Sequence, residues 1–279
     1  MLHIATVHWR NEQWIDIQLR FLKRHLACPY QVYAFLNEVP AANREKFFYA
    51  SSEPIREHAV KLNLLADVIR FSSRDPDDLV MFLDGDAFPI ADPVRPLLAK
   101  VAQNKLVAVQ RLENNGDRQP HPCFCVTTVG FWNSLGGDWK EGHAWSDREG
   151  RPVTDVGGNL LGLLEQRGVD WLPLHRSNRV DLHPLWFGVY GDIVYHHGAG
   201  FRPDKYSRAD LAGLEAARLT TIARCRDSIE RLLQRNPVRA LRPRSALHRI
   251  IDRNRLLSEE VFQRIKQDDA FHLAFTEVH

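Results

Sequence analysis

Leu79-Val80-Met81-Phe82-Leu83-Asp84-Gly85-Asp86-Ala87-Phe88-Pro89 is the stretch that decides how this chain is read. Five apolar residues in a row, closed by two carboxylates around a glycine, are too short for a buried helix. They predict a strand buried on both faces, with its carboxyl end at Asp84. In open α/β sheets ligands collect at the carboxyl ends of strands. Two carboxylates delivered there suit a hard divalent cation, Mg²⁺ or Mn²⁺, with coordination positions left for phosphate oxygens. Gly85 lets a ligand or metal approach the backbone closely. An isolated Asp-x-Asp is more often a surface turn than a metal site, so its meaning depends on the rest of the chain.

Upstream, strand-like and helix-like patterns alternate. Ile4–Val7 reads as a strand, followed by an apolar stripe at helical spacing from Trp14 to Leu26. Gln31–Leu36 is again strand-like, and Ala59–Ile69 sets Leu62, Leu65, Ala66 and Ile69 on one helical face. Downstream, Pro93–Val101 predicts a helix and Leu106–Val109 a strand. This alternation predicts a mostly parallel sheet covered by helices. From about Pro120 to Arg202, Gly, Pro, Trp and His become frequent. Phe124–Thr128 and Asp192–His196 read as strands there, and Gly158–Arg167 as a helix. Beyond Lys205 the pattern is helical and basic, broken at Pro237 and Pro243. The expected organisation is a domain over 1–206, with a first half to residue 110 and a second from 111, then a helical segment over 207–279.

Composition narrows the function classes. The 279 residues carry 37 Lys+Arg against 35 Asp+Glu, a formal net charge of +2, which excludes a chain that is basic throughout. At 44% hydrophobic and 26% charged residues it is a globular chain and not a disordered one. Cys28, Cys123, Cys125 and Cys225 form no pair of Cys-x-x-Cys units, so neither a disulfide framework nor a structural zinc site is expected. No stretch approaches the 18 apolar residues of a membrane span. The N-terminus enters a strand with no basic leader, so a reducing cytoplasm is the expected compartment.

A second constellation, Tyr195-His196-His197-Gly198-Ala199-Gly200-Phe201-Arg202-Pro203, ends a strand in two imidazoles, two glycines and a guanidinium. Histidine is a common metal ligand and arginine clamps phosphate oxygens. Taken with the Asp-x-Asp strand and in chain order, these features resemble glycosyltransferases of the GT-A fold over roughly residues 1–205. That resemblance implies an α/β Rossmann-like, mixed and mostly parallel sheet with helices on both faces and a helical C-terminal appendage. It implies a donor site for a nucleotide-diphospho-sugar, UDP-linked by analogy, drawn from Thr6, His8, Trp9, His58, Lys61, Asn63, Asp84, Gly85, Gly198, Gly200 and Arg202. It implies a Mn²⁺ or Mg²⁺ site made by Asp84, Asp86 and a histidine. His197-Gly198-Ala199-Gly200 is similar to the His-x-x-Gly of glycogenin-like and lipopolysaccharide galactosyltransferase-like members, which continue Lys-Pro-Trp. Here Phe201-Arg202-Pro203 is one residue out of step, so His196 and His197 both stand as ligands.

On the acceptor side the resemblance points to Phe124–Trp132 and to the loop Thr154-Asp155-Val156-Gly157-Gly158-Asn159. Asp155 is the candidate base if the reaction inverts the anomeric carbon and a binder of donor sugar or acceptor if it retains it; without a functional role it would be a helix N-cap. Trp139 and Trp145, in Gly-rich polar stretches, are candidates to stack on sugar rings. Ten arginines between Arg224 and Arg255 suit contact with an anionic membrane surface and a lipid-linked acceptor. Nucleic acid is not expected as a partner, since no reading motif or interleaved aromatics accompany that charge. Two rival readings compete. A haloacid-dehalogenase-like phosphatase would use an Asp-x-Asp-x-Thr strand, but residue 88 is Phe. A sugar-nucleotide-binding protein without catalysis is the second. A nucleotidyltransferase would need a glycine where His8-Trp9-Arg10-Asn11-Glu12 has none.

Overall fold

A computed structural model describes residues 1–93, 100–103, 105–180, 187–198, 200–218, 225 and 245–276. Its centre is a pair of parallel strands, β1 (Leu2–Trp9) and β4 (Leu79–Asp84), each buried at every position but the last. Such strands are covered on both faces, which is why they read as continuous apolar runs. Successive side chains of β1 serve opposite layers. Leu2 and Ile4 pack with Ile15 and Leu22 of α1 (Gln13–His25), whereas Ala5 and Val7 pack with Leu62, Leu65 and Ile69 of α2 (His58–Ser72).

Strands β2 (Tyr30–Asn37), β3 (Tyr49–Ser51), β6 (Leu106–Val109), β7 (His121–Thr128) and β10 (Leu172–Leu174) complete a seven-stranded sheet ordered β10-β6-β7-β4-β1-β2-β3. All its pairings are parallel except those of β7, which runs antiparallel to both β4 and β6. The expected mixed, mostly parallel, helix-flanked sheet is therefore what the chain forms. Its carboxyl edge collects the residues after β1, β4 and β6 together with the start of β7.

The antiparallel course of β7 corrects one expectation. Phe124–Trp132, expected as a strand and loop facing an acceptor, runs away from Asp84, since Thr128 pairs with Leu79 at the opposite edge of the sheet. There the chain turns into α3 (Val129–Leu135), capped by the Thr128 hydroxyl, which accepts from Phe131 N at 3.1 Å. Only the beginning of β7, His121 and Cys123, shares the edge with Asp84. The strand expected over Asp192–His196 starts at Val194, because Gly191 and Asp192 adopt left-handed φ angles of 57° in the preceding turn. The helix expected at Pro93–Val101 and the breaks at Pro237 and Pro243 fall largely or wholly outside the described residues.

A second, three-stranded antiparallel sheet, β11 (Gly188–Tyr190), β12 (Val194–His196) and β5 (Ala87–Pro89), is built on the continuation of β4. It packs against a third apolar cluster formed by Trp14, Ile17 and Phe21 of α1, Phe88, Tyr195, and Val261, Phe262 and Ile265 of a long helix, here α6 (Ala246–Gln267). Among the described residues no helix is long and apolar enough to cross a membrane.

Between β4 and β5 the chain must turn within Gly85 and Asp86 while pressed against β1. A Cβ on Gly85 would lie 2.5 Å from the Val7 carbonyl oxygen and 2.8 Å from His8 Nδ1. Gly85→Ala is therefore expected to lower folding stability by about 1–3 kcal/mol through overpacking. Urea denaturation checks this; a variant as stable as the parent would contradict the turn geometry.

Candidate metal centre

Pairing of β5 with β12 sets His196 opposite Ala87 and Tyr195 opposite Phe88. That register carries His196 to the Asp84–Asp86 turn from 110 residues further along the chain. His196 Nε2 lies 3.4 Å from Asp86 Oδ1 and 3.6 Å from Asp84 Oδ2. One ligand atom from each of Asp84, Asp86 and His196 falls within 4.8 Å of the others. Two carboxylates and an imidazole at that separation fit a divalent cation of the Mg²⁺/Mn²⁺ type.

The three side chains are held from outside. His58, at the first position of α2, places Nε2 2.9 Å from Asp84 Oδ1, leaving Oδ2 toward His196. Asp86 Oδ2 accepts the Gly200 N–H at 2.9 Å, and its carbonyl accepts the His197 N–H at 3.0 Å. A side chain on Gly200 would put its Cβ 2.7 Å from Asp86 Oδ2, so this approach requires glycine. The turn itself is tied down by Gln18 of α1, whose Nε2 donates to the carbonyls of Asp84 (2.8 Å) and Ala87 (2.7 Å). Its Oε1 lies 3.1 Å from His8 Nε2. Gln18 is fully buried. It escaped the sequence reading, although a lone amide on the inward stripe Trp14-Ile15-Ile17-Phe21-Leu22 was a legible signal.

Electrostatics match the geometry. Burial opposes a charge on His196, but Cys123 and Asp86 beside it outweigh burial and hold its proton well above the ordinary imidazole range. Burial likewise opposes ionised Asp86, yet His196, His197 and the Gly200 N–H keep its carboxyl well below the usual range. A metal ligates only unprotonated imidazole nitrogen, so cation binding at Nε2 would compete with a proton there. His121, whose ring centroid is 5.8 Å from that of His196, is driven well below the ordinary range by burial and by Arg111.

Other expected residues distribute as follows. His197 lies beside the cluster, not in it: Nδ1 is 3.0 Å from the Tyr195 hydroxyl and Nε2 2.8 Å from Ser258 Oγ, so neither nitrogen is turned to the carboxylates. Thr6 and His8 are buried at the end of β1, each with one polar atom lacking a hydrogen-bond partner (Oγ1 and Nδ1). Trp9 donates Nε1 to Glu38 at 2.7 Å, under the Arg10 guanidinium 4.0 Å from its ring. Lys61, three residues from His58 on α2, is buried, and burial lowers its pKa against the pull of Glu38 and Glu57. Gly198 takes a φ of 62° in the turn after β12, and Arg202 is exposed, adding its positive field at His121.

Three expectations do not survive. Asn63 has its amide committed elsewhere: its Nδ2 donates to Asp138 (2.6 Å) and its Oδ1 accepts from Trp139 N (3.0 Å), pinning α2 to that loop. Trp139 is fully buried between Phe82 and Trp132, and Trp145 nearly so, which leaves neither indole face for a sugar. Asp155 does not cap the helix α4 (Gly158–Gln166), whose N-cap is Gly157. Its Oδ2 instead accepts from Arg111 (3.4 Å) and Arg208 (3.2 Å), and both guanidinium groups also grip buried Asp117. An open groove of about 640 Å³ lined by Gly136, Asp138, His143, Asn159 and Glu165 shares no residue with the metal cluster.

No protein-family profile matches the sequence, and no curated protein is significantly similar to it. Solved structures that the chain is similar to include Staphylococcus aureus TarS 1–349, at 11% identity and a TM-score of 0.36 over 50% of each chain. The Streptococcus pneumoniae glycosyltransferase GlyE is 13% identical at a TM-score of 0.41, over 62% of this chain and 44% of that one. A mutant Drosophila β-1,4-galactosyltransferase 7, solved with manganese, UDP-Gal and xylobiose, is 12% identical at 0.39, over 72% and 74%. The chain thus spans about half the length of the first two. At such identity and overlap the likeness says nothing of substrate, which has to be argued from the site's own residues.

Burial has a measurable consequence at His8, whose pKa it lowers from 6.5 to about 4. The unfolded chain takes up that proton first, so the contribution of neutral His8 is complete above pH 6.5 and is lost as pH falls from 6.5 toward 4. That span corresponds to on the order of 3 kcal/mol. His8→Gln is expected to flatten the fall of the denaturation midpoint between pH 7 and 4.5. An unchanged pH profile would contradict the assignment.

Proposed function

We propose that the chain is a divalent-metal-dependent glycosyltransferase, moving a sugar from a nucleotide-diphospho-sugar, a UDP-sugar by preference, to the hydroxyl of a glycan or lipid-linked acceptor. The observation that carries this reading is the convergence of Asp84, Asp86 and His196 at the carboxyl edge of the sheet. In the proposal these three hold Mn²⁺ or Mg²⁺, which when bound supplies Lewis-acid stabilisation of a departing nucleoside diphosphate.

The chain's own groups have definable tasks in that reading. His58 orients Asp84, while Gln18 and the Gly200 N–H fix the turn that carries Asp86. Lys61 and Arg202 add positive charge for the diphosphate. Thr6, His8 and Trp9, in the carboxyl-terminal half of β1, are assigned to the nucleoside side of the donor site, and Gly85, Gly198 and Gly200 keep side chains out of the donor's path. Asp155, 36% exposed, is assigned to the acceptor side. Paired with Arg111 and Arg208, it is the base in the proposal if the reaction inverts the anomeric carbon, and binds donor sugar or acceptor if it retains it.

The division into a catalytic region over 1–206 and a basic region over 207–279 is part of the same proposal. Arg249, Arg253 and Arg255 are exposed on α6 and support contact with an anionic surface. The other arginines counted toward that reading, from Arg224 to Arg244, lie outside the described residues. The phosphatase reading is disfavoured because Phe88, where that chemistry needs a hydroxyl, is sealed in the core 4.3 Å from the Phe21 ring.

Two measurements test the proposal. UDP is expected to raise the melting temperature only with Mn²⁺ or Mg²⁺ present, and Asp86→Asn to abolish that dependence. Retained metal-dependent stabilisation in the variant would contradict the assigned centre. Incubated with a panel of nucleotide sugars and Mn²⁺, a transferase leaks free sugar to water. A phosphatase would release inorganic phosphate, and a binding protein neither.

A further inference from the structure

The turn after β12 that presents the Gly200 N–H to Asp86 is not self-supporting. It hangs on the His197 imidazole, 1% exposed and packed 4.8 Å from the Trp14 ring and 5.3 Å from the Phe187 ring. The only partner of His197 Nε2 among the described residues is Ser258 Oγ, 2.8 Å away on α6. The same hydroxyl accepts from Lys205 Nζ at 2.7 Å. One helical turn earlier, fully buried Asn254 donates Nδ2 to the Lys205 carbonyl at 3.0 Å. Both ends of the stretch that carries Gly200, His197 and Lys205, are thus fastened to a single face of α6.

That face is itself immobilised. Val261, Phe262 and Ile265 continue it into the cluster with Trp14, Phe88 and Tyr195. The Arg20 guanidinium of α1 donates to the carbonyls of Ile265 (2.5 Å) and Lys266 (3.2 Å) at the helix end. Two buried polar residues on an otherwise apolar stripe cost stability unless their hydrogen bonds are made. Here the side-chain bonds that Ser258 and Asn254 Nδ2 make go to the loop behind Asp86 or to Asp210, while Asn254 Oδ1 has no hydrogen-bond partner among the described residues.

We infer that α6 belongs to the metal centre: Ser258 is a positioning residue that, through His197 and Lys205, keeps the Gly200 N–H on Asp86 and so holds this carboxylate in its ligand geometry. The inference rests on reading Asp84, Asp86 and His196 as the cation site. Outer partners of metal ligands typically govern affinity by about 10–100-fold.

The test uses the full chain and two readouts. In Ser258→Ala, hydrogen exchange at the Gly200 amide is expected to speed up at least about tenfold, and the Kd for Mn²⁺ by titration calorimetry to rise by about the same factor. Ser258→Thr, which keeps the hydroxyl, is expected to restore both. Asn254→Ala cuts the second fastening without touching His197 and should show the same changes at smaller amplitude; it also serves if Ser258→Ala does not fold. A variant with a lower melting point but unchanged Gly200 exchange and unchanged Mn²⁺ affinity would overturn the inference. A parent chain that binds no Mn²⁺ would remove the cation reading instead, while the exchange measurement still decides whether α6 positions Asp86.

Discussion

Antiparallel pairing of β5 with β12 is the constraint on which the rest of the site depends. β4 alone would bring two carboxylates to the carboxyl edge and leave them there as an acidic turn. By continuing as β5 and recruiting β12, the chain brings an imidazole from residue 196 against that turn in a fixed register. The pairing is local and short, three residues on each strand, so it cannot be strong by itself. Its strength comes from behind: Phe88 and Tyr195 project from paired positions into the aromatic cluster with Phe21 and Phe271. Apolar packing on one face of the small sheet thereby sets the polar geometry at its end.

The same arrangement explains the concentration of buried polar groups here. Asp86, His196 and His197 would be costly in an apolar interior were each not paired. The His196 imidazole stands against both carboxylates, and backbone N–H groups from Gly200 and His197 take up further acceptors of Asp86. Gln18 performs the equivalent service for the backbone carbonyls of the turn. A centre built this way is stiff before any ligand arrives, which lowers the ordering cost of holding a cation in one geometry.

Much of the fold was legible because its determinants are local. The apolar run Leu79–Leu83, the stripe Trp14–Leu26 and the face Leu62-Leu65-Ala66-Ile69 each carry their own periodicity, and the parallel sheet follows from their order. Asp84 and Asp86 were legible for the same reason. The choice between His196 and His197 was not, because adjacent strand residues point to opposite faces and only the β12–β5 register decides which one meets Asp86. Trp139 and Trp145 were not legible as core because residue type does not reveal burial, and Asn63 because its partners Asp138 and Trp139 N lie some 75 residues away in the chain. The reversal of β7 was hidden as well, so the Phe124–Trp132 segment, expected to face an acceptor, runs to the opposite edge of the sheet. Ser258 and Asn254 lie far along the chain in a segment whose arginines dominate its composition, and their inward face emerges only from tertiary packing.

In the proposed function one cation joins the Asp84–Asp86 turn to the His196 imidazole. Anomalous diffraction at the manganese edge from crystals soaked in Mn²⁺ tests this directly. A single peak within bonding distance of Asp84, Asp86 and His196 is the expected result. Saturating Mn²⁺ that leaves this position without a peak, or that binds the carboxylates with the His196 imidazole turned into a different cavity, would contradict it.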